Sequence, residues 1–416
     1  MPPDTASLTL TPSTSPAPLT RSSALFGLFV LVGLATSTWV TRTPALRDAL
    51  QASTEQMGMV LFGFSLGSML GILTANALTQ RLHARRATGL GMVINLCGLA
   101  LLALGTGYAS VPLAFAGFVL FGLGMGWSDI AVNVECAALE NAVARPLLTT
   151  LHGCFSLGAL LGALLGSLMA WQNVPVLWHL LGVAGVAAML SAPLLRQIHN
   201  TSAQAAQAAP GTLADTTAGS GSMLQAFKQR GVLLIGLFAL GLALAEGAAH
   251  DWLPLLMVDG YGFAPAQGTL IYMLFTLGMA VGRFSGQALL RRVERHTLMR
   301  ASACAAACGL ALVIVAQHPL LGALAVVLWG LGAALGFPLA LSAAAEGGGA
   351  SAPRVSAVAT LGYVAILVGP PLLGFLGEHH GLRLAMLPVL TMVAIAWAVA
   401  YTLRPQGLQL REVKAG

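Results

Sequence analysis

The stretch GLGMGWSDIAVNVECAALE, residues 122–140, sets Asp129, Asn133, Glu135 and Glu140 into an otherwise apolar helix. At about 100° per residue, Asn133, Cys136 and Glu140 project within roughly 40° of Asp129, and Glu135 points elsewhere. Asp129 is short and lies a turn or two from the nearer interface. It is therefore expected to face a bundle interior or a water-filled cavity, where it could carry a proton. The competing reading is a polar clamp with Asn133. Glu135 and Glu140 stand nearer the helix end, where long side chains reach water, and are expected there as wetted interfacial groups.

AEGAAHDWLP, residues 245–254, repeats the pattern. Glu246 falls near mid-membrane, with His250 one turn on along the same face and Asp251 and Trp252 nearer the outer surface. An ionised, unpaired carboxylate at that depth is costly, so Glu246 is either a proton carrier or half of a permanent arginine pair. Arg283 stands alone in an apolar run and is expected to pair with an acid on a neighbouring helix, in a structural or gating role. Trp39 and Trp252 each shortly precede a proline (Pro44, Pro254), a place suited to the interfacial aromatic belt or to stacking on a flat solute such as a sugar. Arg42, Asn133, Asp251 and Tyr363 complete the candidate solute contacts.

Other positions suggest movement. HGCFSLGALLGALLG opens with His152, a helix-end histidine or a proton relay. It then sets Gly158, Gly162 and Gly166 four apart, a smooth stripe for close helix approach. GYVAILVGPPLLG, residues 362–374, carries Pro370-Pro371 between glycines and predicts a kink or hinge.

These groups need a scaffold that composition identifies. Of 416 residues, 57% are hydrophobic and 8% charged, with mean hydropathy +0.82. That is about a third of the charge a soluble surface carries. The apolar runs are continuous rather than alternating, which excludes a β-barrel. The fold class is an all-α polytopic membrane protein, with spans near 22–43, 56–78, 87–107, 111–138, 147–170, 174–195, 230–257, 266–290, 297–317, 319–345, 354–377 and 381–403. Residues 1–21 and 404–416 read as polar tails. Residues 196–229 read as a flexible linker between bundles at 22–195 and 230–403. The five cysteines fall in apolar runs, so neither a disulfide framework nor a metal site is expected. No nucleophile–base pair or cofactor motif stands out, so an enzyme is not expected.

Sixteen Lys and Arg fall on one side of these spans, and only Arg42, Arg47 and Arg383 on the other. The positive-inside rule then places both termini and the linker in the cytoplasm, consistent with the inner membrane. Topology explains the net charge of +6 without a nucleic-acid partner. The halves also resemble each other. SLGSMLGILTANALTQRL (65–82) aligns without gaps on TLGMAVGRFSGQALLRRV (276–293), pairing Gly67 with Gly278, Gly71 with Gly282, Asn76 with Gln287 and Arg81 with Arg292. FGLG (121–124) matches WGLG (329–332). Arg81 and Arg292 are gating or structural candidates.

Six plus six helices with parallel halves is the plan of the major facilitator superfamily. Within it, GWSDIAVNVECAALE, LLTTLHGCFSLGALLGA, EGAAHDWLPLLMVDGYG and LGMAVGRFSGQALL resemble YbjJ/MosC-type permeases of the fucose-permease-like group. The resemblance spans all but the tail and linker. The motifs say little about the solute. The architecture and the intramembrane carboxylates together lead to the expectation of alternating-access transport of a small polar solute through the lipid bilayer by a monomer, with a proton as coupling ion and a sugar or sugar-like compound the leading solute. An exporter of metabolites or drugs and a non-transporting sensor or scaffold are the alternatives. Two departures stand out. Asn76 and Gln287 replace the aspartate that usually follows the second helix, which weakens a cytoplasmic charge clamp. The Gly-Pro motif of many drug antiporters is absent from the fifth span.

Overall fold

The computed structural model describes residues 18–143, 147–198, 220–346 and 352–402. Most of both tails and of the linker, and Arg145, Arg404, Arg411 and Lys414 of the basic face, lie outside the described residues.

The chain enters through α1 (Pro18–Thr41), turns at Arg42 into the short α2 (Thr43–Leu50), and continues as α3 (Thr54–Gly107). Ser53 starts α3 with a capping box: its Oγ accepts from the Gln56 N–H at 3.1 Å and its own N–H donates to Gln56 Oε1 at 3.0 Å. At ~1.5 Å per residue, α3 is about 80 Å long, far more than a ~30 Å hydrocarbon core. It folds back at His83, whose φ of 63° and ψ of 162° break the helix. One element thus makes the second and third crossings, and the expected loop between them shrinks to a single non-helical residue. Next come α4 (Val111–Val143), α5 (Leu148–Trp171) and α6 (Val176–Arg196). The short α7 (Ser220–Phe227) precedes α8 (Arg230–Tyr261), α9 (Pro265–Leu290) and α10 (Arg295–Val315). The tenth crossing is shared by α11 (Pro319–Ala333) and α12 (Gly336–Ala345), before α13 (Ala352–His380), α14 (Leu382–Ala385) and α15 (Leu387–Thr402). Eleven helices among the described residues are long and apolar enough to span, and the fold at His83 makes twelve crossings of them.

The helix interruption of the C-terminal half lies in its tenth crossing. α13 stays helical through Pro370 and Pro371. The break falls at Ala334–Leu335, where Pro338 in the first turn of α12 has no N–H to offer the Ala334 carbonyl.

Glycines set the helix pairing, identically in the two halves. A Cβ on Gly67 would lie 2.1 Å from the Val119 carbonyl oxygen, and one on Gly278 2.8 Å from that of Val327. Gly98 would meet the Phe121 nitrogen at 2.2 Å and Gly309 the Trp329 nitrogen at 2.4 Å. Gly124 stands against Asn95 as Gly332 stands against Ala306. These are the partners that the FGLG/WGLG match dictates, so the duplication seen in sequence is one of packing as well. The α5 stripe lies on α1 as expected: Cβ atoms on Gly158 and Gly162 would meet the Val30 and Leu34 carbonyls at 2.0 and 2.5 Å.

The termini define an inner face, and the opposite, outer ends of the halves are joined. Arg47 pairs with Asp259, the Thr54 N–H donates to Glu378 at 2.7 Å, and the Thr269 hydroxyl donates to the Thr41 carbonyl at 2.9 Å. Between them α3 and α13 touch backbone to backbone: a Cβ on Gly58 would lie 2.7 Å from the Pro370 carbonyl oxygen and 3.0 Å from Gly374 Cα. Burial lowers the Arg47 pKa, but the hydrogen bonds and charges of Asp259 and Asp48 outweigh it and raise it overall.

Candidate functional site

Glu246 of α8 and Arg283 of α9 meet inside the C-terminal half, Arg283 Nη2 donating to Glu246 Oε1 at 2.7 Å. The side chains remain 23% and 43% exposed, so they line a space rather than sit in packed core. His250, one turn along α8, brings Nε2 to 3.8 Å from the same Oε1. Its Nδ1 shares a 2.7 Å hydrogen bond with the Tyr272 hydroxyl of α9. Phe275 stands edge-on to the His250 ring and fixes its plane. The result is a continuous chain, Tyr272–His250–Glu246–Arg283, in which acid, base and cation adjoin.

Across the halves, His152 of α5 lies within electrostatic range of Arg283, and Gly153 faces the Phe284 ring. Asp129 of α4 is half-buried and accepts from Asn133 Nδ2 at 3.2 Å, while that amide also donates to the Asp129 backbone carbonyl at 2.9 Å. Tyr363 of α13 is close enough to feel the Asp129 charge, so that pair too spans the halves. Phe337, whose place in α12 corresponds to that of Asp129 in α4, packs on the Tyr363 ring at 6.2 Å. The acid of the fourth crossing therefore has no acidic counterpart in the tenth.

Other candidates lie elsewhere. Trp39 and Trp252 are 1% and 0% exposed. They sit in the core, neither in an interfacial belt nor on a cavity wall, with Trp39 edge-on to Phe118 at 4.8 Å. Arg42 is buried at the outer end, donating to the Val174 carbonyl at 2.6 Å. Asp251 is buried, and no hydrogen bond or ion pair among the described residues reaches it. Arg81 and Arg292 are exposed at the inner ends. Pro370 belongs to the outer contact with Gly58.

The reading of Glu135 and Glu140 as wetted groups is corrected. Glu135 is fully buried and pairs with Arg21 of α1 at 2.7 Å. The arginine at the start of the first span gives it a partner, so a long acid enters the core instead of reaching for water. Glu140 folds back to accept from the Leu147 and Leu148 N–H groups at 2.6 and 2.9 Å, capping the start of α5. Tyr272 was missed, although it lies three turns from Arg283 on one stripe of α9, a spacing visible in the sequence.

Comparison with known proteins agrees with this architecture. Residues 24–363 match the Major Facilitator Superfamily, and the chain belongs to that family. It is 29% identical over 377 residues to the uncharacterized transporter y4wD of Sinorhizobium fredii, covering 90% of this chain and 96% of that one. It is 25% identical over 386 residues to the membrane protein MosC of Rhizobium meliloti, covering 92% and 90%. Among solved structures, a D323A mutant of the nucleoside transporter NupG superposes with a TM-score of 0.75 at 14% identity, over 92% of this chain and 100% of that one. A D-xylose-proton symporter superposes with a TM-score of 0.72, also at 14% identity, over 93% and 98%. At such identities the superpositions establish the fold: twelve helices in two pseudo-symmetric halves.

Proposed function

We propose that this membrane transporter is a proton-coupled secondary carrier of a small polar solute, sugar or sugar-like, working as a monomer in the inner membrane with both termini cytoplasmic. Residues 22–195 would rock against 230–403 to give alternating access. The observation that carries the reading is the chain of titratable groups ending in Glu246, partly exposed and held by an arginine deep in a membrane protein. A scaffold gains nothing from such an arrangement, whereas a carboxylate that exchanges an arginine for a proton can report the protonation state to the helices around it. Asp129 supplies a second carboxylate in the other half, facing Tyr363. The reading is also supported by the likeness in fold to a D-xylose-proton symporter.

The test is solute uptake by proteoliposomes under an imposed pH gradient. Asp129→Asn and Glu246→Gln are each expected to abolish accumulation above equilibrium while leaving exchange of solute across the membrane. Undiminished gradient-driven uptake in both variants would end the coupling assignment.

A further inference from the structure

We infer that the solute is a monoanion, a hydroxylated carboxylate such as a sugar acid, and that Arg283 holds its carboxylate once Glu246 has taken up a proton. The inference rests on the proposed carrier function and names the solute class for that site.

Around this site the charged and titratable groups are Glu246, His250 and Asp251 on α8, Tyr272 and Arg283 on α9, and His152 on α5. Arg283 is the one among them that is cationic at every working pH. A guanidinium carries five N–H donors, and a single hydrogen bond from Nη2 to Glu246 is the one it makes among the described residues. Its side chain is 43% exposed, with His152 of the opposite half nearby, so the unused donors face the space between the halves.

Charge balance does the rest. With Glu246 ionised, the pair is neutral. Protonating Glu246 alone strands a cation in a low-dielectric site, and binding an anion alone crowds a second negative charge against Glu246; both are costly. Proton and monoanion together restore neutrality, and the planar fork of Arg283 suits a carboxylate. Each ligand therefore strengthens binding of the other, which is what coupling requires. A neutral sugar would leave the guanidinium unmatched. His152, exposed on α5, adds a hydrogen-bonding ring for hydroxyls.

The full chain in proteoliposomes is probed with labelled D-gluconate, D-galactonate and D-glucuronate against D-glucose and D-galactose. At least one acid is expected to accumulate under an acid-outside gradient, and an imposed membrane potential without a pH gradient is expected to have no effect, because proton plus monoanion carries no net charge. Glu246→Gln is expected to tighten binding of that acid at pH 7.5 about tenfold and to flatten its pH dependence. Arg283→Gln should lose acid binding and Arg283→Lys should keep part of it, with both variants checked for monodispersity. No binding by any acid, preference for a neutral sugar, uptake driven by potential, or unchanged acid affinity in Glu246→Gln would each overturn the inference. Acid binding with these variant effects but no response to a pH gradient would instead overturn proton coupling and leave the anion site standing.

Discussion

Replacing Gly58 with alanine places a methyl group where α3 of one half meets α13 of the other. The added Cβ would lie 2.7 Å from the Pro370 carbonyl oxygen and 3.0 Å from Gly374 Cα. Ordinary contact begins near 3.4 Å, so the two helices must part by about 0.7 Å. Both obstacles are backbone, and no rotamer change relieves them. Because α3 and α13 belong to different halves, however, the relief available is separation of the halves at their outer ends. Overpacking of this kind costs about 1–3 kcal/mol. Under the proposed alternating access the cost falls on the outer-closed state alone, so the closed-to-open ratio should drop about fivefold to more than a hundredfold. The assay is labelling by a membrane-impermeant maleimide of Ser167→Cys, a position on α5 that donates to the Ala266 carbonyl of α9 across the same outer seam at 3.5 Å. Rates are compared with protein carrying the five native cysteines alone. Gly58→Ala should raise the rate at position 167. Gly182→Ala, whose Cβ would meet nothing within 4 Å, should not. Equal rates in the two variants would refute the view that the glycine contact seals the outer side.

Two further outcomes follow from the inner side. Breaking the buried Arg21–Glu135 pair by Glu135→Leu or Arg21→Met alone should cost about 3–5 kcal/mol, and the double replacement should recover a large part of it. Thermal unfolding in detergent measures the cycle, and a double variant as unstable as the sum of the singles would contradict the pairing. Glu346, outside the spans, has its pKa lowered by the hydrogen bond and charge of Arg295. A carboxylate with a depressed folded pKa stabilises above its unfolded value, near 4.5, and loses that contribution as pH falls through the folded one. The Glu346 side chain is 67% exposed, so Glu346→Gln should lower stability at pH 7 by less than ~1 kcal/mol, with the gap closing in acid.

Membrane crossings and the internal duplication were legible because hydrophobic length and glycine spacing are local signals. Gly67 and Gly278 could be matched on sequence alone, and they turn out to touch matching residues of α4 and α11. Arg283 was expected to need an acid, and Glu246 is its partner. What the sequence did not contain was the choice among partners on different helices. Glu135 looked interfacial by its place on α4, and only the approach of α1 brings Arg21 to it. The tryptophans failed for a related reason: an indole near a helix end satisfies the belt pattern equally well whether it faces lipid or a neighbouring helix. α13 remains helical through Pro370-Pro371, whereas the tenth crossing, where no break was expected, is interrupted at Ala334–Leu335.

That break makes the two halves mechanically unlike. In the N-terminal half, α4 is one rigid rod from Val111 to Val143, carrying Asp129 along its length. Its counterpart is jointed at Ala334–Leu335, one residue short of Gly336, against which Leu242 of α8 is pressed. A push at the outer end of the rod would carry to the inner loops, whereas on the interrupted element the same push would be partly taken up where Pro338 leaves the hydrogen-bond ladder open. The proposed rocking would then be lopsided: one half would swing as a lever, while the other would flex beside the helix that holds Glu246.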